Sequence, residues 1–127
     1  MGSDGRRVIL VVDDEENNRE VLNAILVWSG YRVLEATNGH EAIAVATKHC
    51  PDLIIMDLAM PVMDGFTAVR LMREVHQTCR VPIVACTAFG TMTHREEAMR
   101  VGFNEFLTKP VNFDTLDSVL NRLLTTK

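Results

Sequence analysis

Five polar residues stand at the ends of short apolar runs, and together their types suit one chemistry. Asp13 and Asp14 follow Val8-Ile9-Leu10-Val11-Val12, and Asp57 follows Leu53-Ile54-Ile55-Met56. Thr87 follows Pro82-Ile83-Val84-Ala85-Cys86, and Lys109 follows Glu105-Phe106-Leu107-Thr108. Carboxylates gathered within a few ångströms repel one another unless a cation intervenes. A hard divalent ion with oxygen ligands meets that need, and Mg²⁺ favours a couple of carboxylates with retained waters and phosphate oxygens. Lysine supplies a compact point charge for a phosphoryl oxygen, and a threonine hydroxyl adds a donor. A carboxylate at the centre of such a set can itself become an acyl phosphate. Positioning and charge neutralisation would then supply most of the rate.

This convergence requires the runs to be strands of one parallel sheet. The runs at 8–12 and 53–56 are continuously apolar, as expected for strands buried on both faces. Tyr31–Ala36 alternates and reads as a strand nearer the edge. Pro82 is tolerated at the first position of the fourth strand, and 105–108 is a short fifth. Helical patterns alternate with these strands. Val21, Leu22, Ile25 and Leu26 form the first apolar face, behind acidic Asp14, Glu15 and Glu16, with Gly30 as its stop. Asn38 with Glu41 has capping-box spacing for a second helix, carrying Ala42, Ile43, Val45 and Ala46 inward. Asp64 is placed to cap a third, in which Phe66, Val69, Met72 and Val75 step along the buried side. A fourth helix at about 92–101 is thinly apolar, with Thr93 and Glu96 at capping-box spacing and Gly102 as its end. Asn112 precedes the clearest amphipathic stripe, Phe113, Leu116, Val119, Leu120, Leu123 and Leu124. Strand–helix alternation five times over predicts a single α/β domain, a doubly wound parallel sheet with helices on both faces. The sheet edge where the strands end is then where ligands bind.

With 127 residues, the chain has room for one core. A net charge of −4 and a pI near 5.5 argue against a nucleic-acid surface. No apolar run approaches the ~20 residues that span a bilayer, and the N-terminus lacks the shape of a signal peptide. Cys50, Cys79 and Cys86 form no CxxC pair and are odd in number, which fits reduced thiols and a cytoplasmic setting. His40, His49, His76 and His94 have no ligand spacing and read as surface residues. Residues 1–7 are expected to be a tail, disordered or a cloning remnant, with the domain over 8–125.

The set Asp13-Asp14, Asp57, Met60-Pro61, Asp64-Gly65, Thr87-Ala88 and Lys109-Pro110 resembles the response-regulator receiver domain of two-component signalling, over about residues 8–124. The resemblance implies a flavodoxin-like fold, five parallel strands in order 2-1-3-4-5 flanked by five helices. It implies that Asp57 is the phosphoacceptor, served by a sensor histidine kinase or a histidine phosphotransfer protein. Mg²⁺ would be held by Asp14, Asp57 and the backbone carbonyl of Ala59, with Asp13 acting through water. Lys109 would contact the phosphoryl group, Thr87 would be drawn to it, and Phe106 would be the switch aromatic behind Thr87. The bond before Pro110 would be cis. Helix 4, strand 5 and helix 5 would form the switching face, used by an output partner or a phosphorylation-dependent dimer, with no direct contact to nucleic acid or membrane. Such a domain is not an enzyme beyond its own phosphotransfer and autodephosphorylation. Ala59 and Phe89, both apolar, stand where the family modulates water's access to the acyl phosphate, so self-dephosphorylation is expected to be slow.

Two other classes share parts of this chemistry. A haloacid-dehalogenase-like phosphatase also uses an aspartate nucleophile, Mg²⁺, a hydroxyl residue and a lysine. It resembles D-x-D at the nucleophile, whereas Asp57 is followed by Leu58 and Ala59. A flavodoxin would need a Gly/Ser/Thr-rich phosphate loop after the first strand, where this chain is acidic. A receiver-like module that binds without phosphorylation would lack some of the five site residues, and all are present.

Overall fold

A computed structural model describes residues 5–88 and 90–125. β1 (Val8–Val12), β2 (Arg32–Ala36), β3 (Leu53–Met56), β4 (Ile83–Thr87) and β5 (Glu105–Thr108) alternate with α1 (Glu16–Trp28), α2 (Gly39–His49), α3 (Gly65–Met72), α4 (Met92–Val101) and α5 (Phe113–Thr125). All strand pairs are parallel, as the strand–helix alternation predicts, and they run in the order β2-β1-β3-β4-β5 that the receiver resemblance implies. β1, β3 and β4 are buried at every position, which explains their unbroken apolar character.

Side chains alternate between two cores, because successive strand residues point to opposite faces. Leu10, Val12, Ile54, Met56, Ile83, Ala85 and Phe106 pack beneath α2, α3 and α4. Ile9, Val11, Leu53, Ile55, Val84, Cys86 and Leu107 pack with Leu22 and Leu26 of α1 and Leu116 and Leu120 of α5.

The caps follow the sequence in most places. Asn38 Oδ1 accepts from the Glu41 amide at 2.8 Å, Asp64 Oδ1 from the Thr67 amide at 2.8 Å, and Asn112 Oδ1 from the Thr115 amide at 3.1 Å. The fourth helix differs. Thr91, not Thr93, is its N-cap, with Oγ1 accepting from the His94 amide, and Thr93 lies exposed in the first turn. Three apolar residues also depart from their predicted faces, and one of them, Phe113 at the start of α5, is 45% exposed. Val21 is 62% exposed because it borders a groove rather than the core, and Val75 lies beyond the end of α3. Thr87 is the last residue of β4 rather than the first of the loop. His94 is half-buried, while the other three histidines are exposed. Of the expected tail, residues 1–4 lie outside the described residues, and the Arg7 carbonyl accepts from the Arg32 amide at 2.9 Å, extending the β1–β2 ladder.

Candidate functional site

Register brings the polar residues to one edge. Val12 pairs with Met56, and the Asp57 amide donates to the Val12 carbonyl at 3.0 Å, so Asp13 and Asp57 leave adjacent strands side by side. Thr87 pairs with Thr108, and the Lys109 amide donates to the Thr87 carbonyl at 2.8 Å. The turn that carries the chain from β3 into α3 lies close over Asp57. A Cβ on Gly65 would stand 2.5 Å from the Asp57 carbonyl oxygen, so only glycine fits there.

Asp13 and Asp57 are buried, and Asp14 is exposed. Each of the three offers a carboxylate oxygen within 4.8 Å of the others. Lys109 Nζ donates to Asp13 Oδ2 at 2.7 Å and to Asp57 Oδ2 at 3.0 Å. Burial alone would pull the Lys109 ammonium down, but its hydrogen bonds and the charges of Asp13 and Asp57 outweigh this and hold it above the ordinary lysine range. The second oxygen of Asp57 accepts from the Ala59 amide at 3.2 Å, and that of Asp13 from the Glu15 amide at 2.9 Å. Among the described residues Asp14 has no such partner, so its carboxylate is the one left to meet a cation.

The donor set fits Mg²⁺. It is all oxygen, and it has one carboxylate free to move.

Thr87 is fully buried and has the same parity along β4 as Ala85, which pairs with Phe106. Phe106 is 5% exposed and lies in the core beneath α4, with the Arg95 guanidinium 5.9 Å from its ring centroid. Arg95 also stands 3.7 Å from Glu105, which in turn bonds Arg122 of α5, so α4, β5 and α5 are tied along one face. The Lys109–Pro110 peptide bond is cis. Phe89 lies outside the described residues.

Two arginines escape a reading of spacing as chemistry. Arg19 Nη1 donates to the Asp13 carbonyl at 2.8 Å. Arg73 donates to the carbonyls of Gly102, Thr78, Cys79 and Val81 and to Asn104 Oδ1, and burial lowers its pKa. Both continue an apolar helical stripe, Arg19 with Leu22 and Leu26, and Arg73 with Phe66 and Val69. A cation at a core-facing position was the signal available.

A groove of about 390 Å³ opens beside the carboxylates, bounded by Val21 and Ile25 of α1, Cys86, Lys109, Pro110 and Val111. Ile25 also belongs to a neighbouring depression with Trp28, which is 86% exposed, and Phe113. No helix among the described residues is long and apolar enough to cross a membrane.

Comparison with known proteins agrees with this architecture. The family model described as "Response regulator receiver domain" matches residues 9–121. Protein PilH of Pseudomonas aeruginosa is 35% identical over 116 residues, 91% of this chain and 96% of that protein. Chemotaxis protein CheY of Bacillus subtilis is 36% identical over 117 residues, again 91% and 96%. The receiver domain of a sensor histidine kinase from Pseudomonas aeruginosa PAO1, solved with a magnesium ion coordinated in its active site cleft, superposes with a TM-score of 0.90 at 35% identity, covering 96% of this chain and 100% of that one. On these grounds the chain belongs to the response regulator receiver domain family of two-component signalling.

Proposed function

We propose that Asp57 accepts a phosphoryl group from a histidine of a sensor kinase or a histidine phosphotransfer protein, within a receiver domain spanning residues 8–125. The observation that carries this reading is the bridge from Lys109 Nζ to both Asp13 and Asp57 at the sheet edge, with Asp14 exposed beside them. It is an ammonium and a carboxylate array placed round one buried acid. Asp14, Asp57 and the Ala59 carbonyl would hold Mg²⁺, and Asp13 would act through water. The ion supplies neutralisation of charge on the phosphoryl oxygens.

The chain's own residues do the rest. An Asp57 carboxylate oxygen attacks phosphorus; its O–P bond forms as the donor's P–N bond breaks, and the departing imidazole nitrogen takes a proton from solvent. Lys109, released from Asp57 Oδ2, follows the new phosphoryl oxygens, which carry stronger charge than the carboxylate. The Thr87 hydroxyl turns toward them, and Phe106 on the same face of the sheet fills the space behind. α4, which buries only Ala98, is the element most easily biased by that movement. The face tied by Arg95, Glu105 and Arg122 then becomes the output surface, for a partner or a second phosphorylated copy.

The donor must bring its histidine to Asp57, and the groove bounded by Val21, Ile25 and Pro110 shares Lys109 with the site. Exposed Trp28 and Phe113 extend this apolar surface, as expected for a protein-docking face. Three free cysteines suit a reducing, cytoplasmic setting. Ala59 is exposed and presents only a methyl group, which supports an acyl phosphate lasting minutes or longer. Incubation with acetyl phosphate and Mg²⁺, followed by intact mass, tests the reading. Wild type should gain one phosphoryl group and Asp57→Asn none; equal gain by both would refute it.

A further inference from the structure

We infer that Arg19 is a positioning residue of the phosphoryl site, holding the Asp13–Asp14 peptide so that the Asp14 carboxylate faces the cation. This rests on the reading of Asp14 as a Mg²⁺ ligand.

Asp13 is fixed at every polar atom by a different part of the fold. Its amide donates to the Ala36 carbonyl of β2 at 3.1 Å. One carboxylate oxygen accepts from the Glu15 amide at 2.9 Å and the other from Lys109 at 2.7 Å. Its carbonyl, the oxygen of the peptide that leads into Asp14, accepts from Arg19 Nη1 at 2.8 Å. Among the described residues Asp14 has no comparable restraint, so the orientation of that peptide decides where its side chain points.

Arg19 is itself held. Its Nε donates to Glu35 Oε1 at 2.9 Å, and its side chain is only 14% exposed. The planar fork of arginine lets one guanidinium grip a carbonyl and a carboxylate at once, which a lysine cannot do with the same geometry. By bonding a carbonyl, Arg19 leaves all three carboxylates of the cluster to Lys109 and the cation. Glu35 offsets much of its charge, so its contribution is orientation more than field.

The experiment measures Mg²⁺ binding by calorimetry, and amide exchange at residues 13–16 without metal, in the full chain. Arg19→Met should raise the Mg²⁺ dissociation constant about tenfold, as expected for loss of a charge-assisted bond, and speed exchange at 13–16 while the rest of β1 stays protected. Arg19→Lys should fall between the two, and Glu35→Gln should weaken binding about threefold. At saturating Mg²⁺, the acetyl phosphate reaction of Arg19→Met should approach the wild-type rate. Mg²⁺ affinity within twofold of wild type in Arg19→Met, or exchange raised equally through the whole sheet, would overturn the inference. If Arg19→Met does not fold, Arg19→Lys and Glu35→Gln decide, and unchanged affinity in both counts against it. Wild type that binds Mg²⁺ but takes no phosphate defeats the phosphoacceptor reading and leaves the role of Arg19 standing.

Discussion

Lys109 Nζ lies 3.0 Å from Asp57 Oδ2, joining residues 52 apart in the chain, and the same ammonium reaches Asp13 at 2.7 Å. A single cation thus bridges two buried carboxylates and offsets one of their two negative charges before any metal arrives. Lys109→Met should lower stability without metal by about 2–3 kcal/mol, below the range for a fully buried pair because the lysine is partly solvated. Mg²⁺ should then raise the melting temperature more in the variant than in wild type, since it takes over the missing neutralisation. Thermal melts with and without Mg²⁺ check this; equal metal-induced shifts would contradict it.

Val62 has φ +70, a region that β-branched residues rarely enter. It forms the centre of a three-residue turn in which the Met63 amide donates to the Pro61 carbonyl at 2.7 Å, and its side chain is 84% exposed. Little packing would be lost on replacement. Val62→Gly should therefore stabilise the fold by about 1 kcal/mol, because glycine enters this strained three-residue turn freely. Urea unfolding measures it, and a loss of stability would show that the valine side chain contributes contacts.

Arg73 makes its bonds to neutral oxygens only, at the junction of α3, β4, α4 and β5. A Cβ on Gly102 would stand 2.9 Å from Arg73 Cγ, so glycine, at φ +127, is what lets the guanidinium in. Arg73→Met should cost about 3 kcal/mol or more, because several buried carbonyls lose their donor together. Arg73→Lys should cost nearly as much, since three ammonium protons cannot reproduce the fork. Amide exchange should rise most at the end of α4 and the start of β5. Full rescue by lysine would refute the clamp.

Burial pushes the Cys86 thiol from 9.0 up to about 12, with Lys109 offsetting only part of that. Cys50 is exposed at the end of α2. A thiol reagent at pH 8 should modify Cys50 readily and Cys86 only on unfolding. The folded chain keeps the Cys86 proton where the unfolded chain loses it, so this contribution to stability is complete below pH 9 and disappears as pH rises toward 12. Lys109, also raised, adds a loss of the same sign at higher pH. Cys86→Ala should flatten the decline between pH 9 and 12 relative to wild type; an identical slope would show that the thiol ionises freely.

The sheet was legible because β1 and β3 are buried on both faces and so carry no polar residue until the site itself. Asn38, Asp64 and Asn112 announced their helices because each stands alone before an amphipathic stripe. Thr93 has capping-box spacing to Glu96, yet the helix begins at Met92 and Thr91 caps it, which only the backbone of α4 decides. Val21 lies one position from the core stripe of α1, and spacing alone does not separate a groove wall from a core residue. The carboxylates and Lys109 were visible through shared position at strand ends. Arg19 and Arg73 showed only as cations on apolar helical stripes, and their backbone-carbonyl partners carry no side-chain signal that would name them.

The most direct test is chemical mapping of the acceptor. After reaction with acetyl phosphate and Mg²⁺, borohydride should reduce the acyl phosphate to homoserine, and peptide mass analysis locates it. Homoserine at position 57, absent when Mg²⁺ is chelated, is the predicted result. Homoserine at Asp13 or Asp14, or none in protein that carries phosphate, would contradict the assignment of Asp57 as the phosphoacceptor.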